Sequence, residues 1–222
     1  MLLPDSKAMT DQSIAVERVR TLGKFAGVSF AKRVLDIFFV FLSLPMILPL
    51  LAIAAVAVKM SSPGPVLFAQ NRYGLGRVPF RILKLRTMTV TEDGATFRQV
   101  TKGDPRITRV GAFLRKTSID ELPQVFNVLL GEMSLVGPRP HATKMDDEFS
   151  KKIDRYNLRF NVLPGITGLA QVRGHRGETD TLDKMAARIE SDVEYVQTQS
   201  LMLDLYVIFQ TFLVVLRQKN AF

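Results

Sequence analysis

IFFVFLSLPMILPLLAIAAVAV, residues Ile37–Val58, is a charge-free apolar run of 22 residues with two prolines, Pro45 and Pro49, near its middle. As a helix it reaches about 33 Å, enough to cross a hydrocarbon core of roughly 30 Å. Each proline removes a backbone donor and crowds the carbonyl four residues before it, so the segment is expected to bend sharply there. Lys32 and Arg33 precede the run and Lys59 follows it, which puts positive charge at both ends and does not favour one orientation. A hairpin that dips into the membrane and returns satisfies both facts. A kinked spanning helix is the plainer alternative.

The rest of the chain bounds the chemistry. Its 222 residues suit one domain plus a membrane element, and the expected division is a polar N-terminal segment at 1–30, the membrane hairpin at 31–60 and a catalytic domain at 61–222. The formal net charge of +9 suits anionic partners such as lipid headgroups, nucleotides or phosphates. With no cysteine and only His141 and His175, thiolate chemistry is excluded and a histidine metal cage is not expected; any metal should be hard and oxygen-ligated. No signal-peptide cleavage pattern follows the apolar run, so it is expected to remain in the mature chain.

Turn signals at residues 61–65 and 73–76 flank Val66-Leu67-Phe68, and with Phe80–Leu85 they predict a small β-hairpin. Residues 89–104 read as a loop. Helical patterns are expected at 14–28, weakly, then at 109–130, 143–159 and 181–197, with a turn at 163–168. Residues 201–216 are mostly apolar but interrupted by Asp204 and Gln210, which suits either an interfacial helix or a core helix. The fold class is therefore α+β and mainly helical.

Chemistry centres on Ser118-Ile119-Asp120-Glu121-Leu122-Pro123-Gln124. Ser118 with Glu121 three residues later is a capping-box signature, a purely structural role, but Pro123 would then fall inside the helix and forfeit a hydrogen bond. Between Arg72 and Arg139 stand 12 basic and 6 acidic residues. Guanidinium forks match phosphate oxygens, so that belt around adjacent carboxylates suggests a phosphorylated substrate; a basic face meeting anionic lipid is the competing account. One carboxylate can attack phosphorus while its neighbour holds Mg²⁺. Gly74-Leu75-Gly76-Arg77 completes neither a Walker loop nor a dinucleotide fingerprint, so ATP and NAD are not indicated.

From Ala31 onward the chain resembles the bacterial sugar transferase family, the monotopic polyprenyl-phosphate hexose-1-phosphate transferases that initiate surface glycans. The resemblance rests on PGPVLFAQNR at 63–72, KLRTM at 84–88, DPRIT at 104–108, SIDELPQ at 118–124, Asn127, GEMSLVGPRP at 131–140 and PGITGLAQV at 164–172. It implies that Asp120 is the nucleophile and Glu121 the Mg²⁺ ligand, and that Arg86, Arg115 and Arg139 lie at the phosphates. It places nucleotide-sugar contacts near Arg173, His175 and Arg176, and a proline-bent re-entrant hairpin at Pro45 or Pro49. The implied reaction moves a hexose 1-phosphate from a UDP-sugar to undecaprenyl phosphate, releasing UMP, at the bacterial inner membrane with the catalytic domain facing the cytosol.

Residues 176–185, RGETDTLDKM, resemble the glucose-initiating branch, with galactose or an N-acetylhexosamine as the alternative cargo. The chain has the length of the compact catalytic core of the family. A homodimer is compatible with all of this. Two other classes fit less well: a nucleic-acid-binding regulator, for which the chain shows no helix-turn-helix or aromatic-interleaved basic strand, and a non-enzymatic scaffold of an export complex, which the intact acid pair disfavours. No nucleic-acid partner is expected.

Overall fold

The computed structural model describes residues 29–89, 104–175, 177 and 181–216, with side chains to Val214. The apolar run forms one α-helix, α1 (Phe30–Ser61), and helical backbone continues through Pro45 and Pro49 where the sequence reading expected a hairpin. Lys32, Asp36, Val40, Ile47, Ala54 and Val58 are buried, and Leu44 and Leu51 pack beside them. Steps of three and four place all eight on one face. The opposite face, with Phe38, Phe41, Leu42, Met46, Ile53 and Val56, is exposed and apolar.

Two antiparallel strands follow, β1 (Leu67–Tyr73) and β2 (Pro79–Leu85), paired from Leu67↔Leu85 to Tyr73↔Pro79. The expected hairpin is therefore present, closed by a short 3-10 turn at Leu75–Arg77 in which Gly76 and Arg77 have positive φ. Phe80 and Ile82 of β2 pack with Val40 and Ile47 of α1, and each such apolar side chain contributes about 1.5–3 kcal/mol when fully buried.

The helix expected over 109–130 is broken. It consists of α2 (Arg109–Thr117), a 3-10 turn (Ile119–Glu121) and α3 (Gln124–Leu130). Ser118 ends α2 in the left-handed conformation (φ 59°) and makes no side-chain cap, so no capping box forms. Pro123 sits at the N-cap of α3, where its missing N–H is harmless, which removes the conflict seen in the sequence. Asn127 ties α3 to the hairpin, donating to the Arg81 carbonyl at 2.8 Å and accepting from the Leu83 N–H at 3.0 Å.

Strands β3 (Ser134–Val136) and β4 (Gly165–Thr167) form a small parallel pair absent from the sequence reading, which had a plain turn at 163–168. Their backbones approach so closely that a Cβ on Gly165 would lie 2.1 Å from the Gly137 nitrogen, which explains glycine in both motifs. The pattern at 143–159 resolves into α4 (Thr143–Phe149) and a 3-10 turn (Tyr156–Asn161). Short α5 (Leu169–Val172) and α6 (Leu182–Thr198) precede α7 (Leu201–Leu216). One face of α7 is docked through Val207 and Asp204, while Met202, Leu205, Tyr206, Phe209 and Phe212 face outward. The helix expected at 14–28 lies outside the described residues, as does most of the loop at 89–104.

The ends of α1 correct the reading of its flanking charges. Lys32 is buried and donates to Val136 O at 3.1 Å, Tyr195 Oη at 3.1 Å and Asp204 Oδ2 at 2.7 Å. Arg33 donates to the Val128 and Leu129 carbonyls at 2.6 and 3.0 Å. Asp36 accepts from Ser134 Oγ and Leu135 N, both at 3.0 Å. These residues key the helix to β3, α3, α6 and α7.

Candidate active site

Asp120 and Glu121 occupy the 3-10 turn between α2 and α3, where Lys84 from β2, Arg115 from α2 and Arg139 from the turn after β3 surround them with positive charge. Arg139 grips Glu121 with its whole fork, Nη1 donating to Oε2 at 2.9 Å and Nη2 to Oε1. Lys84 adds a bond to Oε1 at 3.0 Å. Burial opposes the charge on Glu121, but Arg139 and Lys84 outweigh it and hold the carboxyl well below the usual glutamate range.

Asp120 is treated differently. Burial and the neighbouring Glu121 push its carboxyl up to about 6, against the opposing pull of Lys84, Arg115 and Arg139. Among the described residues its carboxylate accepts no hydrogen bond, and the positive charges of Lys84, Arg115 and Arg139 act on it without one. One acid is thus locked and ionised, and the other is unpaired and close to neutral-pH titration.

The turn that carries Arg139 is Gly137-Pro138-Arg139-Pro140. Arg139, Pro138, Pro140 and Pro164 line a shallow cleft with Tyr73, Phe160 and Arg159. Beneath it lies a buried polar cluster, His141, Asp146, Tyr156, Arg159, Arg188 and Asp192. Burial and the nearby guanidiniums of Arg159 and Arg188 hold His141 well below the usual histidine range, so it is neutral.

The remaining expected site residues divide. Arg115 stays at the acids, its Nε bonded to Thr87 Oγ1 at 2.8 Å. Arg86 clamps the turn after α1, donating to the Ser62 and Pro63 carbonyls at 2.6 and 2.7 Å. A Cβ on Gly64, whose φ is +121°, would lie 2.0 Å from that guanidinium. Arg173, expected near the nucleotide-sugar, pairs with Glu194 on the surface. His175 is held by its main-chain oxygen, which accepts from Arg188 Nε at 2.8 Å. Arg176 lies outside the described residues. Lys84 was visible only as one member of the basic belt, and nothing in local spacing marked Arg159.

A profile of the bacterial sugar transferase family matches residues 27–218. The chain belongs to the bacterial sugar transferase family. It is 53% identical over 196 residues to the UDP-glucose:undecaprenyl-phosphate glucose-1-phosphate transferase of Caulobacter vibrioides, covering 88% of this chain and 73% of that one. The transferase of the same name from Escherichia coli is 51% identical over 180 residues, 81% of this chain and 39% of its own length. The exopolysaccharide production protein PSS of Rhizobium leguminosarum is 46% identical over 184 residues, 81% and 92% of the two chains. The chain therefore spans most of the compact sugar transferases it resembles and well under half of the larger one. Asp120, Glu121 and Arg139 all lie within the matched residues.

Proposed function

We propose that this chain transfers glucose 1-phosphate from UDP-glucose to undecaprenyl phosphate, releasing UMP, in the first step of exopolysaccharide or other surface glycan synthesis. The observation that carries the reading is the unequal treatment of the two acids: Glu121 is fixed and ionised by Arg139 and Lys84, while Asp120 beside it has no hydrogen-bond partner. Asp120 then has a free oxygen to attack the sugar-side phosphorus. The bond from that phosphorus to the bridging oxygen breaks, UMP leaves with the oxygen, and glucose phosphate stays on Asp120 as a mixed anhydride. A phosphate oxygen of the polyprenyl acceptor attacks the same phosphorus and restores the carboxylate. Lys84, Arg115 and Arg139 face the charge that develops on the transferring phosphoryl group.

Mg²⁺ belongs to the proposal. Glu121 offers hard ionised oxygens, and its Oε2 carries one hydrogen bond and keeps a lone pair for a cation. An ion held there would take most of its remaining ligands from substrate phosphates and water. When bound, it neutralises diphosphate charge and eases departure of UMP.

The membrane reading is re-entrant rather than spanning. α1 is long and apolar enough to cross a bilayer, but the domain packs against it from Lys32 to Val58. A perpendicular crossing would set β3 and α2 on opposite sides of the membrane, although both belong to one domain. A helix that enters and lies shallow, weakened at Pro45 and Pro49, keeps both ends and the catalytic residues on the cytosolic side of the bacterial inner membrane. The outward apolar faces of α1 and α7 then share the lipid boundary.

The test is UMP release from a panel of UDP-sugars in detergent with undecaprenyl phosphate. UDP-glucose should be turned over fastest. Faster turnover of the galactose or N-acetylhexosamine donors would change the cargo, and no UMP from any donor would remove the activity.

A further inference from the structure

We propose that Arg159 is a positioning residue for the transfer reaction: it fixes the carbonyl of Arg139 and thereby the guanidinium fork that holds Glu121. This rests on the roles given to the acid pair above. The Gly137–Pro140 turn has two prolines and so lacks two of the N–H groups that ordinarily anchor a backbone. Its fixed points are Gly137 N on Thr167 O at 2.9 Å, Pro138 O receiving Gly165 N at 3.0 Å, and Arg139 O receiving Arg159 Nη2 at 2.5 Å. The first two belong to the β3–β4 pair. The third is a side chain, and it acts on the residue that does the work.

Arg159 is itself held at many points. Its Nη1 meets Asp146 Oδ1 at 3.1 Å, Tyr156 Oη at 3.1 Å and His141 Nδ1 at 2.5 Å, and its Nη2 is ion-paired with Asp192 Oδ2 at 3.0 Å. The three ionic side chains are at most 2% exposed. Burying such a cluster gains little or nothing in stability over a well-packed apolar one, because desolvation offsets the attraction. What an apolar cluster cannot do is present an N–H at a fixed place to the Arg139 carbonyl. A planar fork set between two carboxylates does that, and a flexible ammonium, which concentrates its charge at one atom, does not. Arg159 and Arg139 also line the same cleft, so a shift in one displaces the wall that the other completes.

A double-mutant cycle tests the claim. Arg159→Lys should lower kcat for UMP release by roughly tenfold or more, since small misplacements of a clamp are amplified in the rate, with a change in KM for UDP-glucose of no more than about threefold. In an Arg139→Lys background the same substitution should lower kcat no further, because residues acting through one contact are not additive. Losses that multiply, or a wild-type kcat in Arg159→Lys, would overturn the proposal. If Arg159→Lys does not fold, Asp192→Asn replaces it in the cycle: it keeps the volume and frees one side of the fork. Its smaller loss should also vanish behind Arg139→Lys, and a multiplied loss would overturn the proposal equally. Failure of the wild-type chain to release UMP would sink both this claim and the activity on which it rests, whereas release with multiplying losses sinks the positioning claim alone.

Discussion

Asp120 and Glu121 are consecutive residues whose carboxyls are driven in opposite directions, Asp120 up to about 6 by burial and its neighbour, Glu121 well below its ordinary value by Arg139 and Lys84. The contrast assigns different work to the two acids, and it makes the pH dependence specific.

Protonation removes the nucleophile, so UMP release should fall as pH drops through about 6. The folded chain binds this proton more tightly than the unfolded chain, whose aspartates titrate near 3.9, so Asp120 weakens folding above pH 6 and the penalty fades as pH falls toward 4. Asp120→Asn should therefore abolish transfer yet raise stability at pH 7.5 by about 1–3 kcal/mol, with little gain at pH 4. Thermal melts of the metal-free protein at the two pH values check it. Equal effects at both would show that burial does not set the Asp120 titration.

Lys32 of α1 and Asp204 of α7 form an ion pair whose side chains are 4% and 1% exposed. Lys32→Met leaves a carboxylate buried without its cation and should destabilise the protein by about 3–5 kcal/mol. Adding Asp204→Leu should restore most of that loss. Melts in detergent decide the point, and a single variant as stable as wild type would mean that water reaches Asp204.

Which parts of this were legible in sequence follows from how local their causes are. The β1–β2 hairpin is written in adjacent residues and stands where the pattern put it; the apolar run is helical as its length required but does not turn back at Pro45 and Pro49, and the acid pair sits in a 3-10 turn rather than inside a long helix. Ser118 was misread because serine three residues before glutamate marks a helix start and says nothing of the left-handed φ that ends α2 here. Lys32 and Arg33 look the same whether they meet lipid phosphate or protein carbonyls. Counting guanidiniums in a belt likewise does not show that Arg86 is held by the Ser62 and Pro63 carbonyls. Arg159 was invisible because its partners Asp146, Asp192 and Arg139 come from three different places in the chain.

Topology is open to chemistry because the chain has no cysteine. Ser29→Cys, before α1, and Gln197→Cys, in the domain, are both at exposed positions. In intact cells both should resist a membrane-impermeant thiol reagent, and both should react once the membrane is opened. Labelling of Ser29→Cys from outside would mean that α1 crosses the bilayer.

The most direct measurement omits the acceptor. Purified protein mixed with UDP-glucose and Mg²⁺, quenched in acid and weighed by intact-mass spectrometry, should gain the mass of one glucose phosphate while releasing no more than one UMP per chain. Peptide mapping should place the adduct on Asp120, and addition of undecaprenyl phosphate should remove it. An Asp120→Asn variant should show neither adduct nor UMP. UMP release that strictly requires the acceptor and leaves no adduct, or substantial turnover by Asp120→Asn, would contradict the covalent account.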